Sequence, residues 1–181
     1  MKVYVMLADG FEEIEALSVV DVLRRGNVDT VSVAVKEDKV VLGAHNIPVV
    51  ADDKLSQVKV EKDDMIVIPG GGKGVENLGA SEELLSLLKE HQSNNGWLAA
   101  ICAGPMIPGK LGFLKGIKAT CYPGCEGNLT EAILFEGNAV VDKNFITGRG
   151  PGVSLDFAFA ILETIKGKEI TAHVKKGMLV E

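Results

Sequence analysis

Cys102 closes an apolar run, Trp97–Ile101, and is followed at once by Ala103, Gly104 and Pro105. A run of this kind between Gly96 and Gly104-Pro105 reads as a strand buried on both faces. Pro105 suits the first turn of a helix, where its missing N–H is no loss. The thiol is then expected on a strand-to-helix turn at the carboxyl end of a sheet, against the positive end of a helix dipole. That setting lowers a thiol pKa and makes a nucleophile. A small hydrophobe that merely ends a buried strand fits the same residues.

Glu12, Glu13 and Glu15 fall in the first turns of a helix expected over residues 12–25. Acidic residues there complement the dipole, which suffices for Glu12 and Glu13. Glu15 differs, because helical spacing puts it on the stripe that continues through Val19 and Val22. A carboxyl held in a buried stripe is pushed toward its protonated form and can then donate a hydrogen bond to a thiolate. Glu15 is therefore the candidate partner of Cys102, and a candidate general acid and base.

Gly70-Gly71-Gly72 lacks the Lys-Ser/Thr ending of a P-loop and the spacing of a dinucleotide fingerprint. The backbone N–H groups of Gly71 and Ala103 suit an oxyanion hole beside the sulfur instead. Cys121 and Cys125 have no second ligand pair near them, so no metal is expected. His45, His91 and His173 read as surface residues. Arg149, inside Gly148-Arg149-Gly150-Pro151-Gly152, could take an anion or serve as a solvated or dimer-contact residue; the structural role is preferred.

These residues need a scaffold. Strands are expected at residues 3–7, 29–35, 65–68 and 97–101, with a hairpin at 40–42 and 47–50. Helices are expected at 12–25, at 81–92 with Ser81 as N-cap, and at 154–166 with Ser154 as cap. After Cys102 the helix must tolerate Pro108-Gly109 and should be brief or kinked. A short strand at 118–122, a short helix at 129–134, a strand pair at 139–142 and 145–147, and a further helical turn or two with a tail complete the reading. Strands alternating with helices, with glycines at the strand ends, specify an α/β fold with a doubly wound parallel sheet. Ligands bind such sheets outside the carboxyl strand ends, where the loops at 8–15, 70–74 and 102–105 converge.

At 181 residues one domain spanning 1–181 is the default. The formal charge of −6 offers no basic stripe for nucleic acid. The apolar start reaches Asp9 too soon for a signal sequence or membrane span. Three cysteines without an export signal fit a reducing compartment, and a cytoplasmic location is expected.

Ala8-Asp9-Gly10-Phe11-Glu12-Glu13-Ile14-Glu15, Ile68-Pro69-Gly70-Gly71, Ala100-Ile101-Cys102-Ala103-Gly104-Pro105 and Gly148-Arg149-Gly150-Pro151-Gly152 together resemble the ThiJ/PfpI superfamily. Within it they are most similar to the branch of the parkinsonism-associated protein deglycase and its bacterial relatives named for thiazole-monophosphate biosynthesis. The resemblance covers nearly the whole chain, in order. It implies a flavodoxin-like three-layer α/β/α sandwich of the class I glutamine amidotransferase-like kind and a homodimer. It implies an oxidation-prone nucleophile at Cys102 with protonated Glu15 as partner. The implied activity is that of a glyoxalase or deglycase without cofactor, acting on methylglyoxal or early glycation adducts, with Gly71 and Ala103 steadying the oxyanion. Ala103 stands where the protease-like branches carry histidine, which argues against peptidase activity. Thr120-Cys121-Tyr122-Pro123 stands where the deglycase branch often has a histidine, so Cys121 and Tyr122 are auxiliary candidates and Cys121 a candidate resolving thiol. The rival expectations are a redox-sensing or chaperone-like protein in which Cys102 becomes a sulfenic or sulfinic acid, and an α/β module with an inert cysteine.

Overall fold

A computed structural model describes residues 1–180. The strands are β1 (Val3–Leu7), β2 (Thr30–Ala34), β3 (Val40–Leu42), β4 (Pro48–Val50), β5 (Asp53–Lys54), β6 (Met65–Ile68), β7 (Trp97–Ile101), β8 (Lys118–Ala119), β9 (Ile133–Leu134), β10 (Ala139–Asp142) and β11 (Phe145–Gly148). The helices are α1 (Glu13–Arg25), α2 (Gly72–Ala80), α3 (Glu82–Ser93), α4 (Met106–Lys110) and α5 (Ser154–Gly177). Seven strands form one sheet in the order β10-β11-β7-β6-β1-β2-β5. Pairing is parallel throughout except between β10 and β11. Numbering β1, β2, β6, β7 and β11 first to fifth along the chain, their order in space is 2-1-3-4-5, the flavodoxin-like doubly wound arrangement.

The central strands are apolar on both faces because helices cover both. Val3, Val5 and Leu7 of β1 join Val67, Ala99 and Ile101 under α1 and α5, which contribute Val19, Leu23, Phe157 and Leu162. Tyr4 and Met6 alternate to the other face with Ile66, Ile68, Leu98 and Ala100, against Val75, Leu78, Leu84 and Leu88 of α2 and α3. Among the described residues no helix is long and apolar enough to cross a membrane.

Ser81 caps α3 as expected, its side chain accepting from Leu84 N at 3.2 Å. Three local expectations fail. Residues 72–80 form α2, although Gly72, Gly74 and Gly79 depress its helix propensity; burial of Val75 and Leu78 and a bond from Asn77 Nδ2 to Asp9 O (2.7 Å) compensate. Residues 129–134 are not helical, since Glu131 takes a φ of 57° and Ile133–Leu134 pairs with β8. Ser154 does not cap α5; it lies in the first turn and donates to Pro151 O at 2.7 Å. The C-terminal expectation holds: Gly167, at φ 80°, breaks α5 one residue past the expected end of its first stretch, and a second helical stretch then runs on to Gly177.

Candidate functional site

The sheet's order reverses between β1 and β6, and the crevice outside that switch point is where such sheets bind ligands. The loops leaving β1, β6 and β7 meet there. Gly10 N–H donates to Leu42 O (2.7 Å), Glu12 N–H to Gly70 O (3.0 Å) and Gly74 N–H to Gly10 O (3.0 Å), which ties the β1 and β6 loops and the β3–β4 hairpin together.

Cys102 follows β7 with a φ of 63°, a conformation that costs an ordinary residue about 1–2 kcal/mol. The surrounding backbone holds it there. Cys102 N–H donates to Gly148 O at 2.9 Å, its carbonyl accepts from Tyr122 N–H at 2.8 Å, and Gly104 N–H closes the turn onto Ile101 O at 2.8 Å. The N–H groups of Gly71 and Ala103 are directed at its sulfur. Gly71 has a φ of 89°, and a Cβ there would collide with Gly10 O and Glu12 N, so only glycine presents its N–H in this way.

Glu15 is fully buried on the inner face of α1 with Ala16, Val19 and Val22. Its Oε2 accepts from Gly70 N–H at 2.7 Å, whereas Oε1 is buried without a hydrogen-bond partner. Gly70 is the wedge between acid and thiol: a Cβ there would lie 2.6 Å from both Glu15 Oε2 and Cys102 Cβ. Carboxyl and thiol are thus adjacent. Burial pushes the Glu15 carboxyl up to about 7, against the hydrogen bonding from Cys102 and Gly70 that favours its charge. Burial, and then the charge of Glu15, push the Cys102 thiol up to about 12. The lowered thiol pKa expected from a helix dipole is therefore corrected: α4 has only five residues, and its field does not outweigh desolvation and a neighbouring carboxylate. The pair sheds its protons in two steps, near 7 and near 12, and between them it holds one proton.

Tyr122 reaches the site through its backbone, while its half-exposed ring lines a depression of 280 Å³ with Pro123 and the exposed Arg149. The backbone N–H of Arg149 donates to Asn138 O at 2.9 Å. Cys121 is buried in the cluster under α2 and α3, whereas Cys102 belongs to the cluster under α1 and α5. Burial, followed by Glu126 and Cys125, raises the Cys121 thiol to about 12. The structure thus brings Glu15, Gly71, Cys102 and Ala103 together, with the Tyr122 backbone beside them.

His173 and His45 are exposed as expected, but His91 is not. His91 is only 4% exposed, with Nε2 3.1 Å from Trp97 O, in space left by the absent side chain of Gly96. His45 is exposed yet tied to Glu13, whose Oε1 accepts the His45 backbone N–H at 2.7 Å and whose Oε2 lies 2.8 Å from Nδ1. This link, which fastens the hairpin to α1, was invisible in the sequence because its partners stand 32 residues apart. Among the described residues, Glu12, Glu13 and His45 are also the group whose ligand atoms fall within 4.8 Å of one another, and hydrogen bonding within the group accounts for that arrangement.

Strand order and site define a flavodoxin-like α/β sandwich with a left-handed cysteine at the turn after a central strand, beside a buried acid. The chain belongs to the DJ-1/PfpI family, which it matches over residues 1–164. It is 39% identical over 180 residues to protein DJ-1 homolog B of Arabidopsis thaliana, covering 99% of this chain and 41% of that protein. The chain therefore spans less than half the length of that relative. It is 34% identical over 171 residues to glutathione-independent glyoxalase DJR-1.2 of Caenorhabditis elegans, covering 92% and 89% of the two chains. The solved structure of oxidized Toxoplasma gondii DJ-1 is similar with a TM-score of 0.93 at 32% identity, covering 99% of this chain and 98% of that one.

Proposed function

We propose that the protein is a cysteine-dependent glyoxalase or deglycase acting on methylglyoxal or early glycation adducts, with Cys102 as nucleophile and protonated Glu15 as proton carrier. The observation that carries this reading is the fully buried Glu15, with Oε1 unpartnered, beside a cysteine held at φ 63°. The relative from Caenorhabditis elegans named as a glutathione-independent glyoxalase supports it. Above about pH 7 the pair retains one proton, held mainly on sulfur because the carboxyl is the stronger acid, and its passage to Glu15 leaves a thiolate that faces the Gly71 and Ala103 N–H groups. The sulfur adds to the aldehyde carbon and gives a hemithioacetal. Glu15 moves the proton from that carbon to the neighbouring carbonyl carbon, which turns the hemithioacetal into a thioester. Water then hydrolyses the thioester to lactate and frees the thiol. The aldehyde carbon is oxidised as its neighbour is reduced, so methylglyoxal and water account for every atom and electron. Lactate formation is expected in wild type and lost in Cys102→Ser and Glu15→Gln; wild-type activity no greater than that of Cys102→Ser would sink the proposal.

A second reading has one specific observation in its favour, the oxidized state of the Toxoplasma gondii relative. Here a peroxide oxygen is transferred to the Cys102 thiolate, giving a sulfenic acid and water, with Cys121 as candidate resolving thiol. Mild peroxide followed by mass spectrometry should then yield linked Cys102 and Cys121 peptides, and their absence removes Cys121 from the scheme.

A homodimer is proposed through the start of α1 and the hairpin, where Ile14 (52% exposed), Ile47 (51%) and Val50 (72%) leave apolar surface open to solvent. Light scattering at micromolar concentration tests it, a monomer mass being the contrary result.

A further inference from the structure

A groove of 610 Å³ runs between α2 and α4, and the chemistry assigned to Cys102 does not use it. Its lining includes Gly72 and Ala103, the chain neighbours of Gly71 and Cys102, which joins the groove to the residues around the sulfur. One wall is a single helical face of α2, residues Gly72, Val75, Glu76, Gly79 and Ala80. The opposite wall is Met106, Ile107, Lys110 and Leu111. The floor includes Cys125, a half-buried free thiol.

Three features describe an occupant. The lining is mainly apolar, and cavities of about 300–1,000 Å³ suit ligands far larger than a three-carbon oxoaldehyde. Gly72 and Gly79 leave the α2 wall open, since a Cβ at either would meet nothing within 4 Å. In the lining Lys110, at the end of α4 away from Ala103, is exposed and forms no ion pair among the described residues, while Glu76 of α2 is already engaged by Lys73 at 3.1 Å. Between Ala103 and Lys110 lie the turn and the five residues of α4, which rise roughly 7 Å.

We infer that this groove holds the apolar chain of a medium-length 2-oxoaldehyde, with its reactive end at Cys102 and an anionic group at its far end near Lys110. The inference rests on the reading of Cys102 as nucleophile, and it names the substrate class that reading leaves open. Chain burial supplies affinity that methylglyoxal cannot obtain, and Lys110 selects the distal charge.

The first test needs no turnover. Wild-type protein is alkylated with iodoacetamide in the presence of octanoate, 1-octanol or acetate, and modification of Cys125 is read by mass spectrometry. Octanoate and octanol are expected to protect Cys125, and acetate is not. Gly79→Leu, which fills the groove from an unobstructed position, should abolish protection. Lys110→Met should weaken octanoate by about threefold and leave octanol unchanged. No protection by octanoate, or equal protection in Gly79→Leu, overturns the groove; octanoate binding unaffected by Lys110→Met overturns the anionic end. The second test compares kcat/KM for 2-oxoalkanals of increasing length, expected to rise by about threefold to fourfold for each methylene buried. In Gly79→Leu that rise should vanish while methylglyoxal is processed as in wild type, and a flat wild-type series overturns the substrate class. Protection of Cys125 without turnover of any 2-oxoaldehyde supports the groove and overturns the chemistry assigned to Cys102.

Discussion

Glu15→Gln should stabilise the protein at pH 8 while removing its activity. The carboxyl is fully buried and its pKa rises from 4.5 to about 7, burial being the main cause. A raised carboxyl favours the folded state below the unfolded value, where both states are protonated, and that advantage is lost as pH rises through about 7. At about 1.4 kcal/mol per pKa unit, the shift corresponds to on the order of 3 kcal/mol, most of it lost between about pH 5 and 8. Glutamine keeps an oxygen to accept the Gly70 N–H, which is 2.7 Å from Glu15 Oε2, but has nothing to ionise. The Cys102 thiol, raised to about 12, contributes no slope in this window. Urea unfolding of both proteins at half-unit steps from pH 5 to 8 isolates the effect, because every other carboxylate is common to the two curves. Wild type should lose stability relative to Glu15→Gln by a few kcal/mol toward pH 8. A difference that stays flat across this range, or one that moves in favour of wild type, refutes the assignment of a buried acid titrating near neutrality.

Gly70→Ala should abolish lactate formation and lower stability by about 2 kcal/mol in urea unfolding, because its Cβ would sit 2.6 Å from both Cys102 Cβ and Glu15 Oε2. Cys102→Gly should exceed Cys102→Ala in stability by about 1 kcal/mol, since only glycine adopts φ 63° without strain; equal melting curves would show that the turn is unstrained. The hairpin should loosen on the alkaline side. Hydrogen bonding to Glu13, then the charge of Glu12, raises the His45 pKa above 6.5, so its stabilisation is complete below that value and is lost as pH rises through the folded one. Amide exchange at Ala44 and His45, corrected for intrinsic rates, should show this dependence in wild type and not in His45→Ala.

The three strands that build the site were legible because each is a short apolar run stopped by glycine or proline, the mark of a strand buried on both faces. Glu15 was legible for a related reason: a lone carboxylate on an apolar helical stripe has nowhere to go but the core. What could not be read depends on tertiary contacts. Three glycines hide α2, which is held by burial of Val75 and Leu78. The Glu13–His45 link and the buried imidazole of His91 need the fold before either exists. The direction of the Cys102 shift was misjudged because the sequence shows the helix that follows the thiol, while its desolvation emerges only from packing.

The inert-module reading leaves two energetic costs without a reason. A fully buried acid that must ionise near neutrality and a non-glycine residue at φ 63° each lower stability, and substitutions within easy reach, glutamine at 15, which has nothing to ionise, and glycine at 102, relieve both. Both costs fall on adjacent side chains at the switch point of the sheet, separated by a Gly70 that admits no Cβ. Independent packing defects have no reason to coincide there. The chemistry proposed above gives them one, because it needs the sulfur beside the Gly71 and Ala103 N–H groups and a carboxyl whose affinity for a proton is raised by desolvation next to it. The combination should therefore separate stability from activity: Glu15→Gln and Cys102→Gly become more stable than wild type or Cys102→Ala respectively, and neither forms lactate. In an inert module the same two gains in stability would come without any loss.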